Sequence, residues 1–343
     1  MNFFSVHSLG MGKNMSKILK IIFPCILAVM LAGCSKGNND SKAEISVVTT
    51  IFPVYDWVQQ VIGTNSDRIQ LSLLQNRGID LHNFQPSAGD ILAIVNCDVF
   101  IYVGGHSDGW VNQVLAQKTN DKMIVVNLME ILCGTDVQAA QGNGDLDGHD
   151  ESHHHHDNHK HNHPDEHLWL SLENSIAAVA HIAQVLSQID TTQGDKYLEN
   201  AIGYIQKIRV LDQGYKNLVE LFPGQTLVFA DQFPFYYLMN DYGIPYYSAF
   251  ESCSGDAEAS FETMAFLTEK INELELSVLM TTESPLENIA ETLIANCDNQ
   301  DIEILALNSL QSVSERNEGV SYLSLMEENL QVLRKAFQKG KAQ

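Results

Sequence analysis

Histidine is the residue type whose placement in this chain is most uneven. Nine of the thirteen histidines lie between His149 and His167, in the run GHDESHHHHDNHKHNHPDEHLWL, with Asp150, Glu151 and Asp157 among them. Neutral imidazole is the commonest protein ligand for metal ions and suits Zn, Cu and Ni, so the chemistry this run points to is metal handling. A solvated polar loop would have no need of imidazoles at this density. The run is internal and broken by acids, unlike a terminal purification tag. Three single histidines stand at positions where a chain can hold them. His82 lies in QNRGIDLHNFQPSAGD, between Gly78 and Pro86, with Ser87 placed to cap the helix that follows. His106 lies in GGHSDGW, and His167 in DEHLWLS at the ordered end of the His-rich run. Three imidazoles on separate loops can converge on one ion.

The elements that must position these loops read as two similar halves. ISVVTTI, IQLSLL, DVFIYV and MIVVNL are short β-rich apolar runs, and helical stretches such as Pro53 to Gly63 and Ala88 to Val95 fall between them. TLVFA, IPYYSAF, SVLMTT and IEILAL repeat the recipe in the second half, with helical stretches between them and YLSLMEENLQVLRKAF as a closing helix. Strands alternating with helices imply parallel sheets covered on both faces. Between the halves, Leu198, Ala201, Ile205, Ile208, Leu211, Tyr215, Leu218 and Leu221 recur every three or four residues, as one long helix acting as a rod. The expected fold is α/β: two lobes, each a four-stranded, mostly parallel sheet flanked by helices, joined by one rigid helix. Ligands of open α/β sheets bind at the carboxyl ends of the strands, so the metal cleft is expected between the lobes. The corresponding division is an export signal and lipobox over 1–34, a tether over 35–44 and an N-terminal lobe over 45–194. That lobe carries a His-rich loop over 138–164. A linking helix over 195–222 and a C-terminal lobe over 223–343 complete the chain.

The 343 residues include 45% hydrophobic ones, enough for two such cores, and the formal net charge of -23 excludes nucleic acid and anionic lipid as electrostatic partners. Lys17 and Lys20 precede an apolar run from Ile21 to Leu31 and then LAGC, which has the parts of an export signal. Small residues before Cys34 resemble the lipobox of bacterial lipoproteins, which implies acylation of Cys34 and a lipid-anchored protein facing the extracytoplasmic side of the cell membrane. Met15 begins a signal of ordinary length, so translation starts at Met1 or Met15. Cys97, Cys133, Cys253 and Cys297 contain no CxxC, and remain either buried thiols or bridges.

Taken together, these segments resemble the zinc and manganese solute-binding lipoproteins of ABC importers over essentially the whole mature chain. In that family the first ligand histidine follows a Gly-x-x-x-His loop before a Pro-Ser helix start, which matches His82. The second lies in Asp-x-His-x-Trp-Leu, which matches Asp165, His167, Trp169 and Leu170. A His/Asp/Glu-rich loop before the second ligand, the rod helix, and the late segment from Tyr322 to Leu330 are also similar. The chain departs from the pattern at two positions, where Gln232 and Asn308 stand at sites usually occupied by ionisable ligands. The resemblance implies metal ligands His82 and His167, with His106 as the preferred third. Asp231, Glu251, Glu283 or a water remains open for the fourth position. With few oxygen donors, zinc is expected over manganese.

The expected function is capture of extracytoplasmic Zn2+ in the interlobe cleft by a monomer and its delivery to an ABC permease and its ATPase, the His-rich loop gathering metal. No catalysis is expected. The rival readings are a manganese-binding member of the same family and a surface-anchored zinc hydrolase. The chain contains neither HExxH nor Gly-x-Ser-x-Gly in support of the latter.

Overall fold

The protein is described by a computed structural model over residues 44–64, 66–75, 79–133, 165–250, 259–285, 289–313 and 319–340. The expected export signal, Cys34, the His-rich run before Asp165, Glu251 and Cys253 lie outside the described residues. The first sheet contains β1 (Ile45–Thr49), β2 (Ile69–Leu73), β3 (Val99–Tyr102) and β4 (Ile124–Asn127) in the order β2-β1-β3-β4, and all its pairings are parallel. The second contains β5 (Leu227–Phe229), β6 (Tyr246–Ser248), β7 (Val278–Thr282) and β8 (Glu303–Leu307) in the order β6-β5-β7-β8, again parallel. The two expected sheets are therefore present, with one strand order used twice.

Ten helices accompany them among the described residues: α1 (Phe52–Ile62), α2 (Ala88–Asn96), α3 (Val111–Leu115), α4 (Leu128–Cys133), α5 (Leu172–Ile189), α6 (Gly194–Leu221), α7 (Tyr236–Asp241), α8 (Phe261–Glu273), α9 (Ile289–Asn296) and α10 (Tyr322–Gly340). Helices α3 and α4 are too short to show a helical period, and Leu128 opens α4 although the apolar run makes it look like the end of β4. Ser87 caps α2 as expected, in a reciprocal arrangement with Asp90. No helix among the described residues is long and apolar enough to cross a membrane.

The central strands β1, β3, β5 and β7 are almost wholly buried because both faces of each sheet are covered. Alternate residues serve different cores. Val47 and Ile101 face a large central core that also contains Trp57, Trp169, Tyr215, Phe229 and Phe337, whereas Val48 and Phe100 face a smaller outer cluster with Ile94. In the second sheet, Phe229 and Met280 point to the central core, and Val228 and Leu279 to an outer cluster with Leu267 and Leu293. The central core thus runs through both lobes and fixes them to the same helices.

Helix α6 is the rod, 28 residues or about 42 Å long. Its buried stripe is not the aliphatic one that the sequence suggests. Leu198 and Leu221 are exposed, and Tyr197, Tyr204, Asp212 and Tyr215 occupy the inner face beside Ala201, Ile208 and Leu218. Buried phenols need acceptors, and each of these finds one on another element. Tyr197 donates to Asp190 at 3.0 Å, Tyr204 to Asp56 at 2.9 Å, and Tyr215 to the Met326 carbonyl at 2.6 Å. Asp56 also accepts from the backbone N–H of Tyr322 at 3.3 Å, so one carboxylate on α1 meets both the rod and the start of α10. Burial raises the Asp56 carboxyl above its ordinary range, against the opposing pull of the hydrogen bonds from Tyr204, Tyr322 and Gln60. Cys97 and Cys297 are buried free thiols and Cys133 is an exposed one. Burial pushes the Cys97 thiol up to about 12, which leaves it unreactive.

Candidate metal centre

His82 and His167 sit in two loops built alike. Each follows an aspartate two residues earlier, as Asp80-Leu81-His82 and Asp165-Glu166-His167. In both, the aspartate side chain accepts the backbone N–H of the histidine, at 2.8 Å for Asp80 and 2.7 Å for Asp165. Such a local turn fixes the backbone without help from a sheet. A short 3-10 turn then begins in each loop, Leu81–Asn83 in one and Leu168–Leu170 in the other. Buried anchors hold both turns down: Leu81 in the first, and Leu168, Trp169 and Leu170 in the second.

The two loops bring the histidine Nε2 atoms to 3.3 Å from one another, with the rings edge to face. Two nitrogens bound to one tetrahedral zinc at about 2.05 Å would be about 3.3 Å apart. The opposite ring nitrogens point at acceptors. His167 Nδ1 lies 2.7 Å from Asp165 Oδ1. His82 Nδ1 lies 2.8 Å from Ser107 Oγ and 3.3 Å from Glu166 Oε1. Metal-binding histidines are ordinarily oriented in this way, by an outer acceptor on the ring nitrogen that does not face the ion.

The loop after β3 contributes differently from expectation. His106 is exposed, and among the described residues no group of three or more His, Cys, Asp or Glu side chains is placed to hold a metal ion. The structure brings together two of the three expected histidines, and the loop presents Ser107 to the pair in place of His106. Gly104 and Gly105 take positive φ values of 93° and 82°. A Cβ on Gly105 would lie 2.7 Å from Glu166 Oε2, so only glycine allows this approach. Ser107 then meets Glu166 twice, its N–H donating to Oε2 at 3.1 Å and its hydroxyl to Oε1 at 2.7 Å. Burial alone would raise the Glu166 carboxyl, but the hydrogen bonds from His82 and Ser107 and the adjacent His167 ring outweigh it and hold it below its ordinary range. Asp108 closes the loop by accepting the Gly104 N–H at 2.9 Å. Burial, with Glu166 nearby, pushes the Asp108 carboxyl up to about 7. Ser107 and Glu166 were missed by sequence reasoning. The repeated Asp-x-His pattern was a usable signal for the two histidine turns.

The second lobe offers carboxylates that are already committed. Asp231 accepts the Thr282 N–H at 3.0 Å and the Thr282 hydroxyl. Glu283 holds Ser309 by its N–H at 2.9 Å and its hydroxyl at 2.7 Å. Asn308 accepts the Leu310 N–H at 2.8 Å, supporting a non-glycine residue at φ 61°, and Gln232 is half-buried. The second lobe nevertheless grips the segment that carries His167. Trp169 donates its indole N–H to the Ser309 carbonyl at 2.8 Å, Tyr237 donates to the Asp165 carbonyl at 3.0 Å, and Tyr322 donates to the Trp169 carbonyl at 2.8 Å.

Two like-ordered parallel sheets, a rod helix across both, and paired imidazoles beside the seam define a two-lobed solute-binding protein. The chain belongs to the family described as zinc-uptake complex component A, periplasmic, which matches residues 47–336. It is 29% identical over 323 residues to the zinc-binding lipoprotein AdcA of Streptococcus pneumoniae, a match that covers 93% of this chain and 60% of that protein. It is 28% identical over 324 residues to the high-affinity zinc uptake system protein ZnuA of Bacillus subtilis, covering 92% of this chain and 96% of the relative. Its fold matches the Zn(II)-bound ZnuA-like domain of S. pneumoniae AdcA with a TM-score of 0.64 at 26% identity, over 86% of this chain and 99% of that domain. The family is described as one of zinc-uptake components, and the chain spans about 60% of the length of the first of these relatives.

Proposed function

We propose that the chain captures Zn2+ between His82 and His167 and delivers it to a membrane ABC permease driven by its ATPase. The observation that carries this reading is the Nε2 spacing of 3.3 Å together with the acceptors at both Nδ1 atoms. With a hydrogen on each Nδ1, both Nε2 lone pairs face one another, and their spacing is that of a tetrahedral edge around zinc. The oxygen donors beside the rings are engaged with Nδ1 atoms and with Ser107, which favours zinc over manganese. Water completes the coordination sphere, where solvent ligands can leave as the ion is handed on. The run from His149 to His163 gathers zinc at exchanging sites and raises its concentration beside the pair. Acylation at Cys34 holds the protein at the outer membrane face near the permease.

The deciding experiment is the metal identity and stoichiometry of protein purified without added metal, compared between wild type and His82→Ala. One zinc per chain in the wild type and none retained by the variant is the expected result. Equal occupancy of a tight site in both would remove the pair from the account. Deleting residues 145 to 163 should slow capture from dilute zinc and leave the tight site intact.

A further inference from the structure

We infer that Ser107 and Glu166 are positioning residues that hold the His82 ring as its Nδ1–H tautomer and so keep the Nε2 lone pair turned towards the ion. This inference rests on the reading of His82 and His167 as zinc ligands. It goes beyond that reading by assigning a task to two residues that need never touch the metal.

A count of protons supports it. A serine hydroxyl has one hydrogen to give and lone pairs with which to accept. The hydroxyl of Ser107 lies 2.7 Å from Glu166 Oε1, while the backbone N–H of the same residue takes Oε2 at 3.1 Å, so the carboxylate receives both Ser107 donors. With its hydrogen committed, Ser107 Oγ can only accept from His82 Nδ1, 2.8 Å away. Glu166 Oε1, 3.3 Å from the same nitrogen, is a second acceptor. Both atoms that face Nδ1 therefore require a hydrogen on it, and Nε2 is left as the ring's lone-pair nitrogen.

The surrounding fold serves this arrangement. The close approach of Gly105 to Glu166 brings Ser107 within reach, and Asp108 holds the loop closed through Gly104. Glu166 adjoins His167 in the chain yet orients His82, while its neighbour Asp165 orients His167. One dipeptide thus sets both rings, and a shift of the segment moves the two ligands together.

The test uses the full chain with 15N-labelled histidine. Long-range 1H–15N spectra at pH 7.5 without metal report the tautomer, and the His82 ring is assigned by its loss in His82→Gln. The wild-type ring should appear as the Nδ1–H form. In Glu166→Gln the amide oxygen stays on the fixed Ser107 N–H and the amide nitrogen faces Ser107 Oγ. The serine hydrogen is then driven to His82 Nδ1, and the tautomer should invert to Nε2–H. In Ser107→Ala the ring should become a mixture, and Ser107→Thr should restore the wild-type spectrum. Zinc affinity, measured by chelator competition, should fall 10–100-fold in Glu166→Gln and Ser107→Ala and recover in Ser107→Thr. Thermal melting of each variant shows that it is folded. An Nε2–H ring in the wild type, or an unchanged tautomer and affinity in Glu166→Gln, would overturn the assignment. A different result, equal zinc binding by wild type and His82→Gln, would sink the metal site and leave the tautomer finding standing.

Discussion

The two lobes share a strand order but use their strand ends for different purposes. In the first, the loops after β2 and β3 and the segment before α5 bring two imidazoles together and surround them with acceptors. In the second, the acids just after β5 and β7 are turned inward, Asp231 onto Thr282 and Glu283 onto Ser309. A carboxylate bonded by two donors of its own lobe is a structural clamp, because freeing it for a metal would leave buried N–H groups unpaired. Repetition of the fold has not repeated the site. The first lobe supplies the proposed ligands, and the second holds the segment on which one of them rides.

This division of labour can be broken most severely at the proposed ligands. His167→Ala should lower zinc affinity on the order of 1,000-fold, about 4 kcal/mol, in a chelator competition assay. The next effect concerns the buried acid that closes the Ser107 loop. Asp108 keeps its proton up to about pH 7 in the folded chain, against a value of 3.8 for an ordinary aspartate. The folded state binds that proton more tightly than the unfolded state, so this group's contribution to stability declines from about pH 4 to about pH 7 and is level above. Asp108→Asn should remove the decline, gaining at most about 4 kcal/mol over the wild type at pH 8 relative to pH 4. Urea unfolding of both proteins at the two pH values measures it. A wild type and variant with parallel pH profiles would contradict the assignment. The smallest effect should come from the second lobe: Gln232→Ala and Asn308→Ala should each change zinc affinity by less than about 3-fold, below about 1 kcal/mol. A larger loss at either position would make the second lobe a ligand donor and erase the contrast.

The architecture was legible from the chain because strands covered on both faces leave a signature that does not depend on tertiary detail. Runs such as ISVVTTI and DVFIYV are dominated by apolar and β-branched residues, as strands covered on both faces require. The rod was legible as a helix, but its inner face was not. Tyr197, Tyr204 and Asp212 look like surface residues until their partners Asp190, Asp56 and Tyr242 are brought against them from elsewhere in the chain. The site divides in the same way. His82 and His167 stand in local turns whose Asp-x-His spacing is written in the sequence. The choice between His106 and Ser107 is not local. It depends on Gly105 lying against Glu166, sixty-one residues along the chain, and no pattern within GGHSDGW announces that contact.

One side chain at the seam joins two points of the chain that lie far apart in sequence. Tyr237 donates its hydroxyl to the carbonyl of Asp165 and lies 3.8 Å from the sulfur of Cys133. The last described residue before the His-rich stretch and the first one after it therefore meet at the same side chain. Residues 133 and 165 are thereby held at one side chain of the second lobe. Replacing Tyr237 by Phe would release both points at once, whereas a single methyl group on Gly105 would push directly against Glu166.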